Sequence, residues 1–438
     1  MPHDNDHAIV VVSDFHLAAG YDRRTGRFDR HETFFHDDAF ARFLDDLRRR
    51  AIREDRRWRL VILGDLLDFL RVPVGSPGKF IARPDTSDRA TLDKLNRIVA
   101  SHPEFFEALG RFVAAGFWLD IVPGNHDIEL ISRPVQERFK EQIVRAGGGS
   151  EALARITFHP WIYYQPGVLY AEHGQQYHDI NAFPTLLRPC SPRHPDEIDL
   201  PLGSHIESYL GNLAEAIDPF GTDPMAPATL LRAVRKRPSL VLQTLPHHAR
   251  LVRTILGDLR DRSRPGNVAE RAAYREEVVR RHADELGLPP DTLVAIDRLS
   301  MVSAGSMTSR LARKLTVNPV RRFRVRSRVA IGSPSYLFQA ALVIHQLLQA
   351  AGKAVPFYVF GHAHRADQLP LAVDASTPSY LNSGSWTGAD RALLPSPGGR
   401  HFTFIEISRK PNTLEPVARL LRWNDFARRH ELLPLSET

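Results

Sequence analysis

The chain has 438 residues, room for two or three domains at roughly 150 residues each, or for one large domain with an insertion. Hydrophobic residues make up 43% and charged residues 25%, which excludes a collagenous, low-complexity or wholly disordered chain. The net charge of +7 is unevenly placed: residues 186–330 hold 24 Lys+Arg against 16 Asp+Glu, a net of +8, and leave the remainder at −1.

The chain opens without a basic stretch, long apolar run and cleavage site, so no secretory signal is expected. Ala8 to Val12 (AIVVV) is an apolar, β-branched run ending at Ser13-Asp14. Leu60 to Leu63 (LVIL) ends likewise at Gly64-Asp65, and Phe117 to Val122 (FWLDIV) at Pro123-Gly124-Asn125. Between them Phe34 to Ile52 and Ala90 to Ala115 space apolar residues three and four apart, as amphipathic helices do. Strands alternating with helices predict crossover connections and a mainly parallel central sheet, with the ligand site beyond the carboxyl ends of its strands. Val168 to Ala171 (VLYA) is a fourth strand, ending at Glu172-His173.

From about Leu186 to Ser335 the alternation gives way to helical candidates such as Asn267 to Leu286, separated by proline-containing joints. A stretch of this length is too long for a structureless loop and predicts a helical insertion. The expected organisation is a core in two parts, 1–185 and 336–438, with 186–335 inserted as a basic lid or cap. Leu299 to Ala330 carries seven Arg and one Lys without an acidic residue, ending in the run Arg321 to Arg328, which suits an anionic partner. The single cysteine, Cys190, excludes an internal disulfide and thiolate-cluster metal sites, and fits a reducing, cytoplasmic compartment.

The α/β pattern resumes with a helix from Tyr336, whose apolar run to Ala351 is broken by Gln339, His345, Gln346 and Gln349. That reads as amphipathic, since a membrane span needs about 20 apolar residues. Further strands are expected at Val355 to Phe360, ending at Gly361-His362, then near Ser379 to Leu381, Phe402 to Ile407 and Val417 to Leu421.

Five strand ends carry one polar signature: Asp14-Phe15-His16, Gly64-Asp65-Leu66-Leu67-Asp68, Gly124-Asn125-His126-Asp127, Glu172-His173-Gly174 and Gly361-His362-Ala363-His364. In an extended backbone the two named residues of D-x-H and H-x-H point to one side. Carboxylate, amide and imidazole without thiolate suit Mn, Fe or Zn. The candidate ligands exceed what one tetrahedral ion uses and match two ions sharing a bridging carboxylate, the arrangement that activates water for displacement at phosphorus.

These motifs, in this order, resemble the calcineurin-like metallophosphoesterases over roughly residues 7 to 180 and 340 to 420. The resemblance implies an α/β fold, an αββα sandwich of two central mixed sheets flanked by helices, here with a large helical insertion. It implies that Asp14, His16 and His364 hold one divalent metal, that Asn125, His173 and His362 hold the other, and that Asp65 bridges them. Manganese is the first expectation, with iron or zinc as alternatives. His126 would face the scissile phosphate and Asp68 would orient it, while Asp127 has no assigned role. His178 is a rival for the position given to His173. The segment Tyr380 to Trp386 also resembles the stretch that comes after G-H-x-H in many family members, where the loop borders the site; contact of Asn382 or Trp386 with substrate is one expectation there, and strand closure the preferred one. His31, His36, His102, His247 and His248 lack a strand-end context and are expected to be surface or structural.

The expected activity is hydrolysis of a phosphomonoester, phosphodiester or pyrophosphate bond, by a hydroxide shared between the two ions. The expected substrate is anionic and phosphorylated, nucleotide- or lipid-linked, with peripheral membrane contact through the Arg-rich insertion as a further expectation. A nuclease gripping nucleic acid with its basic insertion is one alternative, and a non-catalytic binding scaffold on the same fold is another. A Ser/Thr protein phosphatase is disfavoured because Phe69-Leu70, not Arg-Gly, comes after Asp68. Relatives that cleave UDP-diacylglucosamine commonly carry Arg where this chain has His126.

Overall fold

Every residue of the first strand, β1 (Ala8–Val12), is buried, because the strand has a layer on each side. Ala8, Val10 and Val12 enter one hydrophobic cluster and Ile9 and Val11 another, the period-two alternation of a strand. The computed structural model describes residues 7–22, 26–29, 31–72, 84–178, 181–183, 189–190, 198–208, 253, 265–303, 336–371, 378–387, 402–410 and 415–433.

After a short hairpin, β2 (Tyr21–Asp22) with β3 (Arg27–Phe28), come α1 (Asp37–Arg53), β4 (Trp58–Leu63), α2 (Asp88–Ser101), α3 (Pro103–Ala114), β5 (Trp118–Val122), α4 (Arg133–Ile143) and β6 (Ile156–Phe158). β1, β4, β5 and β6 pair in parallel. On the other side β1 pairs antiparallel with β12 (Thr403–Arg409), which continues antiparallel into β13 (Pro416–Asn424) and β14 (Arg429–Leu432). The expected mainly parallel sheet is therefore a mixed seven-stranded one. Helical crossovers build its parallel half, whereas the C-terminal strands succeed one another through short connections, which only antiparallel neighbours permit.

A second, five-stranded sheet has the order β10-β11-β9-β8-β7, from β7 (Ile162–Gln165), β8 (Leu169–Glu172), β9 (Phe357–Phe360), β10 (Asp367–Pro370) and β11 (Ser379–Asn382). Its core pairs β8–β9 and β9–β11 are parallel and its two margins antiparallel. Ile9, Val11, Val61, Leu63 and Val122 of the first sheet share one buried cluster with Leu169, Ala171, Val359 and Leu381 of the second. Helices α1–α4 cover the opposite face of the first sheet, with Phe40, Phe43, Ile98, Phe105, Val135 and Phe139 buried there. The result is an αββα sandwich. Strands from either side of residues 186–335 lie in both sheets, so the two flanking parts form one core.

The outer face of the second sheet is covered by α8 (Tyr336–Ala350), together with α6 (Pro265–Leu286) and α7 (Pro290–Ser303). Val278, Val279, Leu293 and Ile296 share a cluster with Leu337, Ile344, Tyr170 and Tyr358. Arg275 Nε lies 2.8 Å from Asp297 Oδ2, an ion pair that ties α6 to α7. These insertion helices are thus a layer of the sandwich; α5 (Leu202–Ile206) precedes them. The basic run Arg321 to Arg328 and the pair His247-His248 lie outside the described residues. No helix among the described residues is long and apolar enough to cross a membrane.

The apolar pattern from Ala90 to Ala115 is two helices, not one, because His102 has φ −123° and ψ 51° and Pro103 starts α3. A residue before proline is pushed out of the helical region, and proline fits the first helical turn.

Candidate metal centre

The carboxyl ends of β1, β4 and β5 in one sheet and of β8 and β9 in the other open onto the same place. Asp14 N donates to Gly64 O at 3.1 Å and His16 N to Asp65 O at 2.9 Å, which sews the first strand end to the second. Phe69 N donates to His126 O at 3.1 Å, and Gly361 N to His173 O at 3.0 Å. Between Asp14 and His16, Phe15 is wholly buried, stacked on Trp386 at 5.5 Å and edge-on to Phe34, Phe40 and Phe105. This anchor fixes the strand end in the core; removing such a buried ring costs about 3–5 kcal/mol.

The backbone here is not extended, which corrects the expectation for D-x-H and H-x-H. Asp14 (φ 57°), His16 (53°), Asp65 (50°), His362 (62°) and His364 (50°) all sit in the left-handed region. Each such residue costs of order 1–3 kcal/mol and persists where the surroundings over-determine it. Convergence comes from these turns, not from strand periodicity. Glycine is required beside them: a Cβ on Gly124 would stand 2.1 Å from Asp65 Oδ1, and one on Gly64 2.3 Å from His173 Nδ1.

Three groups of side chains bring one ligand atom each within 4.8 Å of one another: Asp14, His16 and His364; His16, Asp65 and His126; Asp65, His173 and His362. Asp65 belongs to two of them. Its Oδ2 lies 3.1 Å from His173 Nε2 and 3.6 Å from His16 Nε2. Asp14 Oδ1 lies 3.1 Å from His364 Nε2, and His16 Nε2 3.1 Å from that same nitrogen. His126 joins His16 and Asp65 although the motif gave it no ligand role. Asn125 is buried at the same rim.

Asn125 Oδ1 is buried without a hydrogen-bond partner among the described residues, and the buried Asp14 Oδ1 and His173 Nε2 face other candidate ligands, His364 and Asp65. A buried polar atom left unpaired costs ~1–3 kcal/mol, which a cation beside Asn125 Oδ1 would relieve. His173 is oriented for this, because its Nδ1 donates to Leu63 O at 2.8 Å and its Nε2 faces Asp65. The oxygen and imidazole donors are those of Mn, Fe or Zn sites, so these residues fit metal ions.

The electrostatics agree with a site that calls for positive charge. Burial alone would push the Asp65 carboxyl up, yet His173 and His126 hold it well below the usual range. Burial likewise opposes charge on His173, but Asp65 and Asp14 raise it to about 9. Burial and the charge of His173 drive His362 far down.

Asp68 is fully buried. Its Oδ2 lies 2.9 Å from His126 Nδ1, 3.2 Å from His16 Nδ1 and 3.1 Å from Arg71 Nε. Burial would raise this carboxyl, but His126 and Arg71 hold it far below the ordinary range. Against its own burial, His126 is raised to about 10 by Asp68 and Asp65. Arg71 also reaches Glu207 Oε1 at 3.0 Å, just beyond α5. Sequence reading missed Arg71; only its place one turn after Asp68 pointed to it.

Asp127 acquires a role that the motif did not give it. Oδ2 accepts from Leu66 N at 2.8 Å and Leu67 N at 3.2 Å, and Oδ1 from Gly124 N at 2.6 Å. It staples the loop of Asp65 to the loop of His126. Burial and the charge of Asp65 raise its carboxyl to about 7 against those donors.

The remaining candidates fall into place around the site. His178 stands beside His362, not at the position of His173. Asn382 Nδ2 donates to Gly361 O at 2.7 Å, and Trp386 Nε1 to Thr403 O at 3.0 Å; both are wholly buried and close the strand end. His102 is 1% exposed, clamped between Glu32 and Asp37, at 3.1 and 2.9 Å. His31 is buried, as is Cys190, and His36 lies edge-on to Phe402 at 4.8 Å.

No protein-family profile matches the chain, and no curated protein matches it.

Proposed function

We propose that the chain is a metal-dependent phosphoesterase, a hydrolase of phosphomonoester, phosphodiester or pyrophosphate bonds related to the calcineurin-like enzymes. The observation that carries this reading is Asp65 Oδ2, shared between His173 and His16 at the meeting of groups that each offer three ligand atoms. Asp14, His16 and His364 would hold one divalent cation and Asn125, His173 and His362 a second, with Asp65 common to both. Manganese fits this donor set first, iron or zinc second. When bound, two such cations neutralise phosphate oxygens and make water acidic enough to attack phosphorus near neutral pH.

The protein's own groups then supply orientation and a proton. His126 Nδ1 donates to Asp68 Oδ2, which leaves Nε2 to deliver a proton to the leaving oxygen as a general acid, a contribution of typically 10²–10⁴-fold. Asp68 fixes that tautomer and keeps the imidazolium available. His16, held by the same oxygen, turns its Nε2 toward Asp65 and His364.

The test is hydrolysis by the purified, Mn-loaded full chain of a phosphomonoester, a phosphodiester and a nucleotide pyrophosphate, with bound metal measured in parallel. Turnover of one class at two metals per chain supports the reading and names the bond. Turnover confined to nucleic acid with steep salt dependence would favour the nuclease alternative. Metal binding without turnover of any class favours a scaffold.

A further inference from the structure

We propose that Tyr336, backed by the ring of His178, is a stacking platform for the base of a nucleotide-linked substrate whose phosphates lie at the metal centre. The inference rests on the phosphoesterase reading above and narrows its substrate class. Tyr336 opens α8, and the two residues after it, Leu337 and Phe338, are buried and fix that helix end on the second sheet. Tyr336 itself is left 40% exposed, a large aromatic ring outside the core. It is braced all the same: one face stacks on His178, with centroids 5.6 Å apart and planes 28° from parallel. His178 in turn lies edge-on to His362 at 5.3 Å, so a row of rings runs from a candidate metal ligand to the surface. The phenol end points inward, where burial and then the charges of Tyr380 and Asp14 hold the hydroxyl above the ordinary tyrosine range.

Two features favour a base over an acyl chain. A ring braced on one face has its other face to offer as a flat surface, and every nucleobase has a π-face to lay on it. The surroundings are polar: Asn181 Nδ2 lies 2.9 Å from the His178 ring, and Gln339, about one helical turn after Tyr336, is exposed on the same face of α8. Side-chain amides both donate and accept, as the edge of a base requires, whereas an acyl chain calls for an apolar channel. The two ring contacts between His362 and Tyr336 also cover a span comparable with that from phosphate to base in a nucleotide.

The experiment measures, by calorimetry, the binding of two probes to the Mn-loaded full chain. One is α,β-methylene-ADP; the other is methylenediphosphonate, which carries the same bridged phosphorus pair without ribose or base. The wild type is compared with Tyr336→Leu, Tyr336→Phe and Tyr336→Trp. We expect the wild type to bind the nucleotide more tightly than methylenediphosphonate. Tyr336→Leu should lose roughly 5–100-fold in nucleotide affinity with its affinity for methylenediphosphonate unchanged, while Tyr336→Phe and Tyr336→Trp, which keep a ring, retain most of the nucleotide affinity. Equal nucleotide affinity in the wild type and Tyr336→Leu, or an equal loss for both probes, overturns the platform; methylenediphosphonate binding by the wild type then leaves the phosphoesterase reading intact. A wild type that binds neither probe overturns both. Should Tyr336→Leu fail to fold by thermal melting, Tyr336→Trp decides through the fluorescence its indole adds, which the nucleotide should quench and methylenediphosphonate should not. Identical responses to the two probes overturn the platform.

Discussion

Asp68 Oδ2 lies 2.9 Å from Nδ1 of His126, and Asp68 is wholly buried. In the proposed reaction the pair would deliver the proton while other residues hold the metals. His126→Ala is therefore expected to keep two metals per chain and lose about 10²–10⁴-fold in kcat, whereas Asp65→Ala loses both metal and turnover. Metal analysis beside steady-state kinetics checks this. A His126→Ala protein emptied of metal would make His126 a ligand, in the group it forms with His16 and Asp65.

Arg71 joins the same oxygen to the insertion, through Asp68 at 3.1 Å and Glu207 at 3.0 Å. Arg71→Met should lower kcat by about tenfold with metal content unchanged, since Asp68 keeps its charge but loses one of its holders. Glu207 acts through Arg71, so adding Glu207→Gln to Arg71→Met should change nothing further, the non-additivity of residues in one network. An additive double variant would place the effect of Glu207 elsewhere.

Much of this site was legible in the sequence because its signature is local. Each apolar run ends at a polar residue, and the ends of parallel strands meet at one rim. The features that were not legible are of two kinds. The left-handed turns at Asp14, His16 and Asp65 are invisible to a rule built on extended strands, because non-glycine residues enter that region only when tertiary contacts such as those of Phe15 compel them. Pairings such as Arg71 with Glu207, or His178 with His362, join segments whose separation in sequence carries no period. The same holds for the short margins β7 and β10, whose pairing comes from the neighbouring strand and not from their own composition. The break at His102 was readable from Pro103 and was overridden by the apolar spacing on either side.

His102 gives a pH prediction independent of the metal centre. Burial opposes its charge, but Asp37 and Glu32 raise it to about 10, above an unfolded value near 6.5. A histidine raised in the folded state contributes stability that is full below pH 6.5 and is lost as the pH climbs through about 10. The contribution is of order a few kcal/mol at its fullest. Urea unfolding of chelator-treated protein from pH 6 to pH 10 should show the wild type losing more stability than His102→Gln. Parallel profiles would mean that the clamp of Glu32 and Asp37 does not hold a charged ring.

Asp127 accepts three backbone amides, from Leu66, Leu67 and Gly124, and is wholly buried. Asp127→Ala strips all three at once. At ~1–3 kcal/mol for each buried donor left unpaired, the expected loss is at least about 3 kcal/mol in urea unfolding. The loop of Asp65 also loses its tie to the loop of Asn125 and His126, so metal affinity falls with stability. Asp127→Asn offers one oxygen instead of two and should fall between wild type and Ala in both measurements. Were Asp127→Ala to weaken metal binding at unchanged stability, the residue would act on the cations directly and the staple would be the wrong description.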